Sequence, residues 1–266
     1  MKHYIILFLL VLSAGRLKGQ ELFVFSEPAS NMPAKSIGLR LTQEGSFNNS
    51  TVNRTMPELM IGFNKKVMAH AQGFLSDARG KYALNGGSLY AKYRFLSADG
   101  LKTHNRAAAF ARISTSNRRA ISDDINLEGD NSGVQGGLIF TRLMHKLALS
   151  GSLSYVKAFD NLPKEVTTRP DQMINYSLSS GYLVLPVVYK NYTAPNLNLY
   201  FEMLGSTNPA NGDAYLDFAP AVQVVLNSVT RIDLGYRFQV SGDMMNRYNK
   251  NMFLARVEFN FFNALK

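Results

Sequence analysis

Residues 229–262 carry the pattern that most limits what this chain can fold into. Ile232, Leu234, Tyr236, Phe238 and Val240 fall on one parity, and Arg231, Asp233, Gly235, Arg237 and Gln239 on the other. After a polar turn the alternation returns, with Phe253, Ala255, Val257, Phe259 and Phe261 against Arg256, Glu258 and Asn260. Successive side chains of a strand point to opposite faces, so a period of two marks a β-hairpin with one greasy and one charged face. A soluble sandwich turns the greasy face inward. A membrane barrel turns it to lipid and the charges to the lumen. One hairpin fits both arrangements, and the remaining strands have to decide.

The alternation recurs along the chain. Strands are expected near Lys35–Gly45, Glu58–Asn64, Val67–Leu75, Gly86–Leu96, Thr103–Thr115, Ser132–Arg142, Leu147–Lys157, Met173–Leu185, Asn196–Leu204 and Tyr215–Leu226, followed by the closing hairpin. That makes about twelve strands, each near the length that crosses a bilayer when tilted. The connections supply the deciding signal. The odd-numbered ones are long and polar, the charged stretch Ser116–Asp130 among them. Most even ones are tight: Asn64–Lys66, Ala98–Gly100, Leu143–Lys146 and Asn227–Ser228. Pro186–Pro195 is longer than the rhythm predicts. Outer-membrane barrels pair short periplasmic turns with long outer loops, whereas a sandwich has no reason to alternate loop length with strand parity. The greasy parity also contains much Ala, Gly, Tyr and Met, which a lipid-facing surface accepts more easily than a packed core. The expected fold is all-β: a single closed antiparallel transmembrane barrel.

The first residues fit export. Lys2 and His3 precede the apolar run Tyr4–Leu12, and small residues follow at Ser13, Ala14, Gly15 and Gly19. This tripartite pattern predicts a signal peptide over residues 1–19. Residues 20–34, with Pro28 and Pro33, read as an extended periplasmic arm. The barrel is then expected over 35–262, with a tail at 263–266 and both termini in the periplasm. Without cysteine there is neither a disulfide framework nor a thiolate site. The formal charge is +10, but no basic cluster alternates with aromatics, so a nucleic-acid partner is excluded.

In a barrel the polar parity faces the lumen. It carries Lys92, Arg94, Arg106, Arg112, Arg231, Arg237 and Arg256 with Glu202, Asp217, Asp233 and Glu258. Two readings follow. These charges form an internal ion-pair network that satisfies buried groups, or they line a constriction whose arginine excess favours anions. No catalytic or metal site and no cofactor are expected. Of the mature chain's histidines, His70, His104 and His145, none has a second at metal-ligand spacing or a serine two positions on. Met56, Met60, Met68 and His70 have copper-like chemistry, yet methionine here reads first as flexible filler on the lipid face. Gly133–Gly137 lies in a strand and reads as close packing.

The last third also resembles a known group. Leu185-Pro186, Leu197-Asn198-Leu199-Tyr200-Phe201-Glu202, Phe218-Ala219-Pro220-Ala221-Val222 and Ile232-Asp233-Leu234-Gly235-Tyr236 are similar to transporter-type outer-membrane barrels related to the MetA pathway of phenol degradation. Gln20 and the arm Glu27–Ala34 resemble exported barrels of the Bacteroidota. One departure is that Phe261-Phe262 are followed by Asn263–Lys266, so the aromatic end that the barrel-assembly machinery reads lies internally. The implied location is the outer membrane, with lipid and the assembly machinery as partners. The expected function is passive or facilitated passage of a small solute. The alternative is a non-conducting structural or partner-binding barrel.

Overall fold

The structure, a computed structural model, describes residues 23–46, 53–77, 80–118, 123–159, 171–186, 194–244, 247 and 250–265. The expected signal segment and most of the Pro186–Pro195 connection lie outside them. Twelve strands follow in order: β1 Ser36–Gly45, β2 Arg54–Gly62, β3 Val67–Ser76, β4 Ala83–Asp99, β5 Thr103–Ser116, β6 Gly133–Met144, β7 Leu147–Ala158, β8 Gln172–Leu185, β9 Asn196–Thr207, β10 Ala214–Leu226, β11 Thr230–Gly242 and β12 Asn251–Phe261. Each pairs antiparallel with its sequence neighbour, and β1 closes on β12. The closing register runs from Ile37↔Phe261 to Gly45↔Phe253, so the last hairpin seals the cylinder against the first strand.

Strand boundaries differ from the sequence expectation where proline or glycine interrupts the pattern. β2 begins at Arg54, because Pro57 is accommodated within it: the β2–β3 ladder skips Met56 and Pro57. The β10–β11 ladder skips Ala219 and Pro220 in the same way. Both cases fit the confinement of proline to places where no ladder bond is required. β4 starts at Ala83, upstream of a bulge opposite Phe74/Leu75.

The connections at one end of the barrel are short turns except for residues 186–195 between β8 and β9, and those at the other end are mostly longer loops. At the turn end, Asn227 and Ser228 both have positive φ (51° and 58°), and Val229 N donates to Leu226 O at 3.1 Å. Two left-handed residues match the right-handed twist of the flanking strands. The outer surface is apolar. Leu39, Leu59, Leu89, Leu138, Leu153, Leu178, Leu199 and Leu234 are exposed in a central belt, Leu234 to 60%. Tyr93, Phe95, Phe140, Tyr182 and Phe261 rim it toward the turns, and Tyr82, Tyr155, Tyr176 and Tyr236 toward the loops. A continuous greasy belt between two aromatic girdles is a lipid-facing surface. The alternation in β11 and β12 therefore resolves as read: Ile232, Leu234, Tyr236 and Phe259 are exterior, while Arg231, Asp233 and Glu258 are buried inside.

Candidate functional site: a lumen filled from both ends

The interior is occupied by the chain itself. The arm expected to lie in the periplasm has its described residues, 23–34, inside the turn-end half of the barrel. A run without periodic structure leaves its N–H and C=O groups unpaired, and burial requires partners for them. The strand walls provide these. Glu202 Oε1 accepts the N–H groups of Val24 and Phe25, both at 2.8 Å, and Oε2 that of Ser26 at 2.9 Å. Ser179 donates to the same carboxylate at 3.0 Å. Thr141 Oγ1 accepts from Ala29 N at 2.8 Å. Lys92 Nζ donates to Pro28 O at 2.7 Å and Ser30 O at 2.8 Å. Arg231 donates to Phe23 O at 2.6 Å, Arg256 to Val24 O at 2.8 Å, and Arg106 to Ser30 Oγ at 2.7 Å.

Packing seats the arm as well. Phe23 and Val24 pack with Leu143, Ala148, Tyr200, Ala221 and Leu254, and the Phe23 and Tyr200 rings meet edge-on at 5.6 Å. Two glycines mark its closest approach. A Cβ on Gly62 would lie 2.2 Å from Pro33 O, and one on Gly235 2.6 Å from the Phe25 ring. Met32 packs on Met60 and Met68, all buried. This corrects the expectation that these methionines are lipid-face filler. They share an inward parity with Glu58 and His70 and support the arm from below.

Behind the arm lies a network of charges. Arg40 is its hub, at 2.9 Å from Glu258, 3.1 Å from Glu58 and 3.4 Å from Glu27. His70 Nδ1 lies 2.5 Å from Glu58. Arg231 pairs with Asp233 at 2.7 Å, and Arg256 approaches Asp233 at 3.6 Å.

At the loop end residues 124–131 of the β5–β6 connection fold inward. Ile125 and Leu127 pack on Val156, Ala158, Met173, Tyr215 and Met244. Arg112 pairs with Glu128 at 2.6 Å, Arg54 with Asp130 at 2.9 Å, and Ser114 donates to Leu127 O at 2.7 Å. Arg118 also pairs with Asp130. From the β11–β12 connection, Arg247 reaches Asp217 at 2.5 Å and lies 3.5 Å over the Tyr215 ring. Arg237 completes the cluster, 2.5 Å from Asp217, a carboxylate with no exposure. Burial raises the Asp124 carboxyl above its usual value against the opposing pull of Arg247.

The residues singled out from sequence thus divide by task. Glu202, Lys92, Arg106, Arg231 and Arg256 hold the arm, while Asp233 and Glu258 neutralise the arginines among them. Arg112, Asp217 and Arg237 belong to the loop end. Arg94 stands apart beside a β4 bulge at the turn end, its N–H donating to Lys66 O at 2.7 Å. Sequence reasoning missed Arg40, Glu44 and Arg54, and weighed His70 only as a metal or catalytic candidate, although each sits on the inward parity of its strand. It also missed Glu27, Asp124, Glu128, Asp130 and Arg247, which lie in connections where no periodicity points inward.

Between arm and inward loop remains a cavity of about 250 Å³, floored by Val24–Glu27 and roofed by Asp124–Glu128. Its β6–β8 wall is uncharged: Gln135, Ser152, Ser154, Asn175 and Ser177. The adjoining β3–β5 wall brings His70, Tyr90, Phe110 and Arg112. No group of three or more His, Cys, Asp or Glu side chains fit for a metal ion occurs among the described residues.

No protein-family model matches the chain, and no curated protein matches it in sequence. Its architecture is matched among solved structures. An outer-membrane channel from Pseudomonas putida F1 superposes with a TM-score of 0.61 at 13% identity, over 90% of this chain and all of the other. The NanC porin superposes at 0.52 and 11% identity, over 85% of this chain and 98% of its own. At these identities the likeness is one of fold: the chain is a closed twelve-stranded barrel of the outer-membrane kind.

Proposed function

We propose that this protein is an outer-membrane channel for passive or facilitated passage of a small polar solute, with its own N-terminal arm as the plug. The observation that carries the reading is the polar cavity on the barrel axis, bounded by one arm and one loop that are held mainly by hydrogen bonds and ion pairs. Such contacts exchange with water far more readily than a packed apolar core. The turn end, into which the arm folds, is taken as periplasmic, following the loop asymmetry of outer-membrane barrels. Both termini then lie on that side. Kinship with barrels of the MetA pathway and an origin in the Bacteroidota belong to the same reading, supported by the motifs of the last third and the arm. Outer-membrane lipid and the assembly machinery are its partners, and no enzymatic step is assigned.

A second reading is favoured by a separate observation: arm and loop fill both ends, and every lumen carboxylate named above has a partner. On this view the barrel is structural and does not conduct. Planar-bilayer recording on the full chain, with solute uptake into liposomes, tests the choice. Channel events and uptake that increase when the arm is loosened support conduction. A silent protein in both the parent and the arm-loosened form supports the structural barrel.

A further inference from the structure

The cavity between arm and loop has a chemistry of its own, and what it favours is narrower than "a small polar solute". We infer that it is a binding site for an uncharged polyhydroxylated ring, the size of a single monosaccharide; this rests on the channel reading and specifies its substrate class.

Three observations lead there. The first is charge. Each guanidinium at the cavity is engaged: Arg40 with Glu58 and Glu258, Arg112 with Glu128, Arg237 with Asp217, Arg256 with Asp233. An anionic ligand would have to break such a pair and leave a buried carboxylate uncompensated, which is strongly unfavourable. A cationic ligand faces the same obstacle in reverse. The second is the inventory of polar groups with hydrogen-bonding capacity to spare. His70 Nε2 and the Tyr90 hydroxyl are buried and make no hydrogen bond within the protein. On the adjoining β6–β8 wall, Ser152 and Ser177 share one hydrogen bond at 2.6 Å, Gln135 donates to Ser154 at 2.9 Å, and Asn175 accepts from Ser206 at 2.6 Å. Hydroxyls and amides so paired keep further donor and acceptor positions, the requirement for reading ligand hydroxyls. The third is shape. Tyr90 stacks on Phe110 with centroids 5.5 Å apart, giving the cavity an aromatic face beside its hydroxyl-amide wall. A sugar ring presents an apolar C–H face and a rim of hydroxyls, which matches one aromatic and one hydroxyl-amide wall. The volume, about 250 Å³, equals roughly eight waters and lies just below the range for drug-sized ligands.

The test is calorimetric titration of the purified full chain with glucose, galactose and ribose, and with glucuronate and inorganic phosphate, at low and high salt. The expected result is saturable binding of at least one neutral sugar in the millimolar range, indifferent to salt. Asn175→Leu and Tyr90→Phe should each weaken it by about tenfold, the loss of one or two ligand hydrogen bonds. Tyr90→Phe keeps the ring and the stack, so it remains informative if Asn175→Leu fails to fold. Binding of glucuronate or phosphate alone, weakened by salt, overturns the inference in favour of an anion site. Heat with no titrant overturns it too. Bilayer recording separates this from the channel reading. A protein that conducts but binds no neutral sugar refutes only the substrate class. One that binds sugar without conducting in parent or arm-loosened form refutes only the channel.

Discussion

Replacing Glu202 with glutamine tests whether the arm is a seated plug. The carboxylate is fully buried and accepts three successive arm N–H groups at 2.8–2.9 Å, with Ser179 as a fourth donor. Hydrogen bonds to a charged partner contribute about 1.5–3 kcal/mol each, against about 1 kcal/mol for neutral ones. Glutamine keeps one oxygen for Val24 and Phe25, but turns an amide N–H₂ toward Ser26 N and the Ser179 hydroxyl. Weakening two bonds and losing a third should cost the seated arm about 3 kcal/mol, or roughly a hundredfold in the seated-to-released ratio. Because the chain has no cysteine, Ser26→Cys supplies a single thiol at the latch. Its labelling by a water-soluble maleimide in detergent or vesicles reports the released fraction. The rate should rise by about two decades in the Glu202→Gln background, while the unboiled protein keeps its fast-migrating band on gels. Labelling no faster than in the parent, with the barrel intact, would refute the latch argument. Loss of the folded band would show instead that Glu202 holds the barrel wall.

Other perturbations separate plug, loop and wall. Lys92→Met strands the carbonyls of Pro28 and Ser30 and should destabilise the arm by about 2–4 kcal/mol, read as faster proteolysis near residue 30 with little change in barrel unfolding. Leu234→Arg sets a charge in the lipid belt and should cost about 2–4 kcal/mol in vesicle unfolding, whereas a soluble fold would tolerate arginine at this exposed position. Asn227→Val forces a β-branched residue into a left-handed turn at about 1–2 kcal/mol, slowing folding into vesicles without altering the lumen. At the loop end, burial raises the Glu128 carboxyl, but Arg112 and Arg54 more than offset this, so its pKa lies below the usual value. Seating is therefore complete above the pKa of the free loop and is lost as pH falls through the lowered one. Conductance should rise on acidification from the loop side, and Arg112→Met should remove most of that response.

Strand number, closure and facing were legible because each follows from one rule, the period of two. The same rule placed Arg231, Asp233 and Glu258 inside and Leu234 and Phe259 outside. It extends to Arg40 with Thr42 and Glu44, and to His70 beneath Met68, but the short greasy stretches around Pro57 and the methionines obscured the parity there. The arm was illegible for a different reason. It has no period; its location is fixed by main-chain groups meeting Glu202, Lys92, Thr141 and Arg231, and a main-chain group carries no sequence signature. The inward loop is intermediate. Ile125 and Leu127 are apolar residues within a charged connection, a mixture that a wholly solvated loop has no reason to hold.

That difference bears on what lumen charges can do. A glutamate on an inward parity reads as part of a constriction that repels or attracts solute. Glu202 faces inward and has no exposure, because arm N–H groups cover it. Arg237 and Asp217 face inward and saturate each other with Arg247. Selectivity set by a fixed charge requires a charge whose field reaches the solute, whereas a close ion pair cancels most of its field within a few ångströms. Substituting Arg237 with alanine should therefore act first on stability, by exposing Asp217 to a partial loss of partners, and should alter ion preference only if the Asp217 cluster borders the conducting path. Arg237→Gln distinguishes these effects. It returns an uncharged donor to Asp217, which Arg247 still pairs, so a purely structural defect is largely repaired, while a shift in ion selectivity persists.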